Sequence, residues 1–175
     1  QPQAPGTPQA ETAAPAQPGA VTPAGTPAPA RPALAVSRET ALAASPRVKI
    51  DTPKVSGSIA LKGGRIDDIS LNQYRVTVDP KSPPVTLFSP SGSPSPHYAE
   101  FGWFAPTGAT VKLPDATSEW KQEGGNTLSV TTPVTLAYDN GEGLVFRRTF
   151  SIDENYLFTV KDDVRNNTAA PVTLF

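Results

Sequence analysis

Proline fixes φ near about −65° and has no amide hydrogen to donate, so sheets and helices tolerate few of them. This chain carries 21 in 175 residues, and they crowd toward its start. Residues 1–46 are nearly all Pro, Ala, Gln, Thr and Gly, as in QPQAPGTPQAETAAPAQPGAVTPAGTPAPARPA. Such a stretch has too little apolar surface to offset its chain entropy. It predicts a disordered Pro/Ala-rich tether of polyproline-II character, a semi-rigid spacer rather than a floppy linker. Arg31 and Arg38 balance Glu11 and Glu39, so it is not a basic arm. PxxP recognition is the alternative use, but that motif arises readily in any proline-rich tract. Near its end, SRETALAA (residues 37–44) predicts one or two helical turns, with Ser37 as N-cap and Thr40 at the capping-box position.

From Arg47 onward the pattern is that of strands. Val55, Ile59 and Leu61 alternate with Ser56, Ser58, Ala60 and Lys62, the period of a strand buried on one face. Gly63-Gly64 supplies a turn with positive φ. Ile66, Ile69 and Leu71 follow, and the change of phase at Asp67-Asp68 predicts a bulge or kink. Tyr74, Val76 and Val78 continue the alternation until Asp79-Pro80. Val85–Phe88 reads as a short strand, SPSGSPSP as a loop, and YAEFGWF (98–104) as core. Strands are expected at 127–131 and 134–138, then an Asn-Gly turn at 139–143. Two long strands close the pattern, Leu144 to Ile152 and Tyr156 to Val164. Leu144, Phe146, Phe150 and Ile152 share one face of the first of them. Short strands with turn chemistry between them predict an all-β, antiparallel sandwich. The final PVTLF stops inside an apolar strand, and an exposed edge of that kind predicts truncation on the C-terminal side and a poorly folded or aggregation-prone piece. The absence of methionine points the same way, to an excised or processed chain.

Composition removes several function classes. A formal net charge of −1 gives no electrostatic case for nucleic acid. Cysteine is absent, so there is no disulfide framework, thiolate nucleophile or thiolate metal site. No window approaches the roughly 18 to 20 apolar residues that span a bilayer.

Each candidate site has a plainer structural reading. Asp139 to Glu142 resembles a calcium loop but lacks the spaced ligands and closing bidentate glutamate, so a hairpin turn is expected. Gly63-Gly64-Arg65 lacks the longer glycine fingerprint and following helix of a phosphate cradle. His97, the single histidine, lies in a Ser/Pro/Gly loop and is expected at the surface. Asp67-Asp68 and Asp162-Asp163 are adjacent pairs whose side chains point to opposite faces of a strand. Asn166-Asn167-Thr168 fits a glycosylation pattern or a polar turn. Trp103 and Trp120, with Tyr98, Phe101 and Phe104, form either core or a sugar- or peptide-stacking platform. No nucleophile–base arrangement or cofactor fingerprint is visible. The residues alone therefore predict a non-enzymatic binding or scaffolding domain with no catalytic, metal or cofactor residues.

Several motifs, in order, resemble the large periplasmic domain of the YidC/Oxa family of bacterial inner-membrane insertases. They are Ile50-Asp51-Thr52, SGSIALKGGRIDDISLNQYR (56–75), HYAEFGWF (97–104), VTLAYDNGEGLVFRRTFSIDENYLFTV (134–160) and VRNNTAAPVTL (164–174). The style is alphaproteobacterial. The resemblance implies a β-supersandwich similar to galactose mutarotase-like domains, of which 47–175 would be the N-terminal part. It implies a tether following one membrane helix, and an insertase core of further helices outside this sequence. It also implies contacts with Sec components (SecD/SecF, SecYEG) and with nascent membrane proteins, without nucleotide or metal. Mutarotase-like enzymes depend on cleft histidines and a carboxylate, and this chain has only His97. The rival expectation is a stand-alone envelope module that binds carbohydrate or peptide; fold likeness alone does not establish it.

Overall fold

A computed structural model describes residues 35–175, so most of the expected tether lies outside the described residues. One short helix and nine strands follow in order: α1 (Arg38–Ala43), β1 (Arg47–Asp51), β2 (Val55–Ala60), β3 (Arg65–Arg75), β4 (Pro84–Phe88), β5 (Lys121–Gly124), β6 (Thr127–Leu128), β7 (Val134–Asp139), β8 (Leu144–Ile152) and β9 (Phe158–Asn166). They form one sheet of order β4-β3-β2-β1-β6 and a second of order β5-β7-β8-β9. Pairing is antiparallel except for β1 with β6, where Lys49 and Ile50 lie parallel to Thr127 and Leu128. The all-β, two-sheet architecture expected from the strand pattern is the observed one.

Alternation decides which side of each strand is dry. In β8 every second residue from Leu144 to Ile152 is buried, and in β1 Val48 and Ile50 are. Ile59, Ile66 and Ile69 from the first sheet meet Val134, Leu136, Phe146 and Phe150 from the second in a single core. Each such side chain contributes about 1.5–3 kcal/mol by leaving water. The double-glycine turn joins β2 to β3 with φ of +80° at Gly63 and +57° at Gly64. The bulge falls where the phase changed: the register passes from Ser58↔Asp68 to Ile59↔Ile66, leaving Asp67 as the extra residue on β3.

Some expectations change. Tyr98 to Phe104 is irregular rather than uniformly core: Phe101 and Trp103 pack partly on the core, whereas Phe104 is 75% exposed. The PVTLF end is not a bare edge. Phe175 and Phe104 exchange both backbone hydrogen bonds, at 2.7 and 2.8 Å, and Val172 and Leu174 lie against the core. Strand β6 stops at Leu128, because Ser129 and Thr132 bond to each other across a turn. Strand β9 starts at Phe158, not Tyr156. The Asp153 carboxylate accepts the N–H groups of Asn155 and Leu157 in a turn that places Tyr156 at φ +70°.

Helix α1 forms where the capping pattern predicted it, with the Ser37 hydroxyl accepting the Thr40 N–H at 3.2 Å. Six residues cannot hold a helix alone. Arg38 supplies the attachment, pairing with Asp68 and donating from Nε to Ser89 Oγ at 3.1 Å. Among the described residues, α1 is thereby tied to β3 and to Ser89 just past β4. Arg38→Ala should remove about 1 kcal/mol, since the pair is only partly shielded. Hydrogen exchange should then show the α1 amides opening faster while those of β7 and β8 stay protected; unchanged α1 protection would contradict this anchoring.

Candidate functional site

The most unusual group in the core is a charge. Period two on β8 turns Leu144, Phe146, Phe150 and Ile152 inward, and the same parity sends Arg148 inward with them. Its side chain is fully buried. The guanidinium finds four acceptors there. Nε and Nη2 donate to the two Asp162 oxygens at 2.7 and 3.0 Å, and Nη1 donates to the carbonyls of Gly64 and Phe101 at 3.2 and 3.1 Å. Around the cation stand the rings of Trp103, Phe101 and Trp120, with centroids at 4.8, 5.2 and 5.3 Å. Such contacts strengthen when water is excluded. Reading the sequence for apolar residues alone passed over Arg148; strict alternation between Phe146 and Phe150 was the signal that places it.

This arrangement decides the fate of the aromatic platform. Trp103 and Trp120 stack at 6.1 Å and 22°, and Phe146 packs edge-on to Trp103 at 4.9 Å. Three of the five expected rings thus enclose the chain's own arginine. Tyr98 lies over Arg65, at 5.1 Å, and Phe104 faces outward. Gly64 is part of the same construction, since a Cβ there would lie 2.9 Å from the Trp120 indole nitrogen. The double glycine provides a turn and a close approach of backbone to indole.

The other candidate residues are engaged locally. Asp139 and Asn140 side-chain oxygens accept the N–H groups of Gly141, Glu142 and Leu144, which makes a capped hairpin turn. His97 pairs its backbone with Ser89, and its exposed ring rests 5.7 Å from that of Phe88. Asn166 and Thr168 close a polar turn through Asn166 Oδ1. Asp162 faces Arg148, while Asp163 is in register with Arg147 on the outer face. The Arg147 guanidinium is held above its ordinary pKa by a hydrogen bond to Glu123 and by that residue's charge. Asp67 and Asp68 do not part to opposite faces as expected. The bulge draws both into one chain of contacts in which Arg47 pairs with Asp67 and donates to Ser58 Oγ at 2.7 Å, and Ser58 donates to Asp68 at 2.6 Å. Two arginines, Arg38 and Arg47, neutralise the two carboxylates.

A depression of about 430 Å³ opens at one end of the sandwich, between the β1–β2 turn, residues 129–131 and the β8–β9 turn. Three of its four charged side chains have partners within the chain. Asp51 pairs with Lys49, Asp153 caps its own turn, and Lys54 sits over Tyr156 at 5.2 Å. Among the described residues no three His, Asp or Glu side chains converge to hold a metal ion.

Comparison with known proteins agrees with that geometry. The family model described as the YidC periplasmic domain matches residues 47–175. A membrane protein insertase YidC of Bradyrhizobium diazoefficiens is 64% identical over 140 residues, covering 80% of this chain and 23% of the relative. That of Nitrobacter hamburgensis is 61% identical over the same shares, and that of Mesorhizobium japonicum 47% identical over 95% of this chain and 28% of its own length. The chain spans about a quarter of the length of these relatives. With a two-sheet body running through the matched residues, this chain belongs to the YidC periplasmic domain family.

Proposed function

We propose that the chain is a periplasmic scaffold and interaction domain of a membrane protein insertase, one that assists insertion and folding of inner-membrane proteins with or without the Sec translocon. The observation that carries the reading is the family match across 47–175, in relatives named as insertases. The domain contributes contacts rather than bond-making: its buried arginine and its aspartate pairs serve the fold, and its edges are left to partners. It stands on the periplasmic face of the inner membrane, attached through helices outside this sequence. No helix among the described residues is long and apolar enough to cross a membrane. Its partners are Sec components (SecD/SecF and SecYEG) and nascent membrane proteins.

Strand β9 pairs only with β8 among the described strands, and Thr159, Lys161 and Asp163 are exposed along it. A one-sided strand is a template for strand addition. Photo-crosslinkers at those three positions of the full-length insertase, in membranes synthesising a client, are expected to yield adducts with Sec components or the nascent chain. Adducts with neither from all three positions would overturn the reading.

A further inference from the structure

The loop between β3 and β4 projects from the sheet with its apolar side chains in water. Val76 is 62% exposed and Val78 wholly so, and Tyr74 at the stem is more than half exposed. Tyr74 leans on Tyr156, with ring centroids 6.4 Å apart, and Leu157 beside it is also exposed. A projecting tip is the wrong shape for a peptide groove, which encloses its ligand. It suits a surface that yields around it.

The backbone of this loop is equally unusual. Entering an apolar phase is costly for N–H groups that have no acceptor. Here Val76 donates to Pro83 O at 3.1 Å, Thr77 to Ser82 Oγ at 3.2 Å and Asp79 to Thr77 Oγ1 at 3.3 Å. Lys81 donates to Asp79 Oδ1 and Ser82 to Asp79 O, each at 2.9 Å. Pro80 and Pro83 have no N–H to satisfy. Five of the six amide hydrogens from 76 to 83 therefore find acceptors without water. Arg75 and Lys81 flank the valines and Lys54 lies on Tyr156, while the one acidic residue of the tip, Asp79, turns an oxygen inward to the Lys81 amide. Apolar tip, tyrosines behind it and cations around them are the ordered layers of an interfacial anchor.

We infer that the β3–β4 tip docks on an anionic lipid surface, with Val76 and Val78 entering the headgroup–acyl boundary. The inference leans on the proposed function only for having a bilayer nearby, and it is tested without any protein partner. The full chain is mixed with vesicles of phosphatidylglycerol and phosphatidylethanolamine, or of phosphatidylcholine alone, and floated on a density gradient. It should float with the anionic vesicles and scarcely with the neutral ones. The double change Val76→Asp/Val78→Asp should lower the bound fraction about tenfold or more. Val78→Leu, which enlarges the same exposed tip, should bind at least as well as the natural chain, with an unchanged thermal melt for both variants. Absence of flotation, equal flotation with both lipids, or flotation indifferent to the double change would overturn the inference. None of these results depends on the β9 adducts, so either reading can fail alone.

Discussion

Asp162→Ala is expected to cost about 3 kcal/mol of unfolding free energy, more than Arg148→Met at the other end of the same ion pair. Truncating the carboxylate leaves a fully buried guanidinium with two carbonyls and three aromatic rings but no counter-charge. Breaking a buried pair from one side ordinarily costs about 3–5 kcal/mol. The low end applies because Asp162 is 31% exposed and water can reach that side of the pair. Arg148→Met removes the charge itself. A thioether packs well against indole and phenyl rings, and the freed Asp162 can turn to solvent, so about 1 kcal/mol is expected. The double variant Arg148→Met/Asp162→Ala should lie near Arg148→Met alone. Urea unfolding of the four chains decides the matter. If Asp162→Ala were no less stable than Arg148→Met, the carboxylate would not be what compensates the charge.

Gly57→Ala should be at least as severe, with a loss of about 3 kcal/mol or more, or no soluble protein. Gly57 sits inside β2, paired with Ile50 on one side and Ile69 on the other. A Cβ built there would lie 1.9 Å from the Asp68 carbonyl oxygen and 2.7 Å from its carbon. Backbone, not a movable side chain, blocks it, and the backbone concerned belongs to the bulge that brings Asp67 and Asp68 to their arginines. Relief would require β3 to slide, breaking those pairs as well. Gly102→Ala, where nothing lies within 4 Å, is the matched control and should be nearly neutral. A Gly57→Ala chain melting within a degree or two of the natural one would show that β2 and β3 approach less closely than described.

Much of the fold was legible where a strand has one dry face and one wet one. Strands β2, β7 and β8 announce themselves by alternation, and both hairpin turns by their glycines. Strand β5, reading KQEG, carries no such signal. Its residues are almost all exposed, and it exists because Gln122 and Gly124 pair with Leu136 and Thr135. The parallel contact of β1 with β6 joins residues far apart in sequence, and no local pattern encodes it. At the candidate site the aromatic residues were visible but their occupant was not. Counting apolar positions on β8 hid the arginine that shares their parity. The aspartate pair at 67–68 misled for a related reason: the opposite-faces rule assumes an unbroken strand, and the bulge breaks it there.

The pairing of β1 with β6 has a consequence in time. A chain made from its N-terminus can zip β1 to β2 and β2 to β3 early, but the other edge of β1 stays open until Thr127 has been made. At ordinary synthesis speeds that interval is on the order of ten seconds. During it, the half-built sheet offers an unpaired edge to every neighbouring chain. Strand β1 meets the interval with Arg47, Lys49 and Asp51 at alternate positions, so charged side chains line the face beside the open edge. They act as a temporary guard against mispairing until the sheet's last strand arrives.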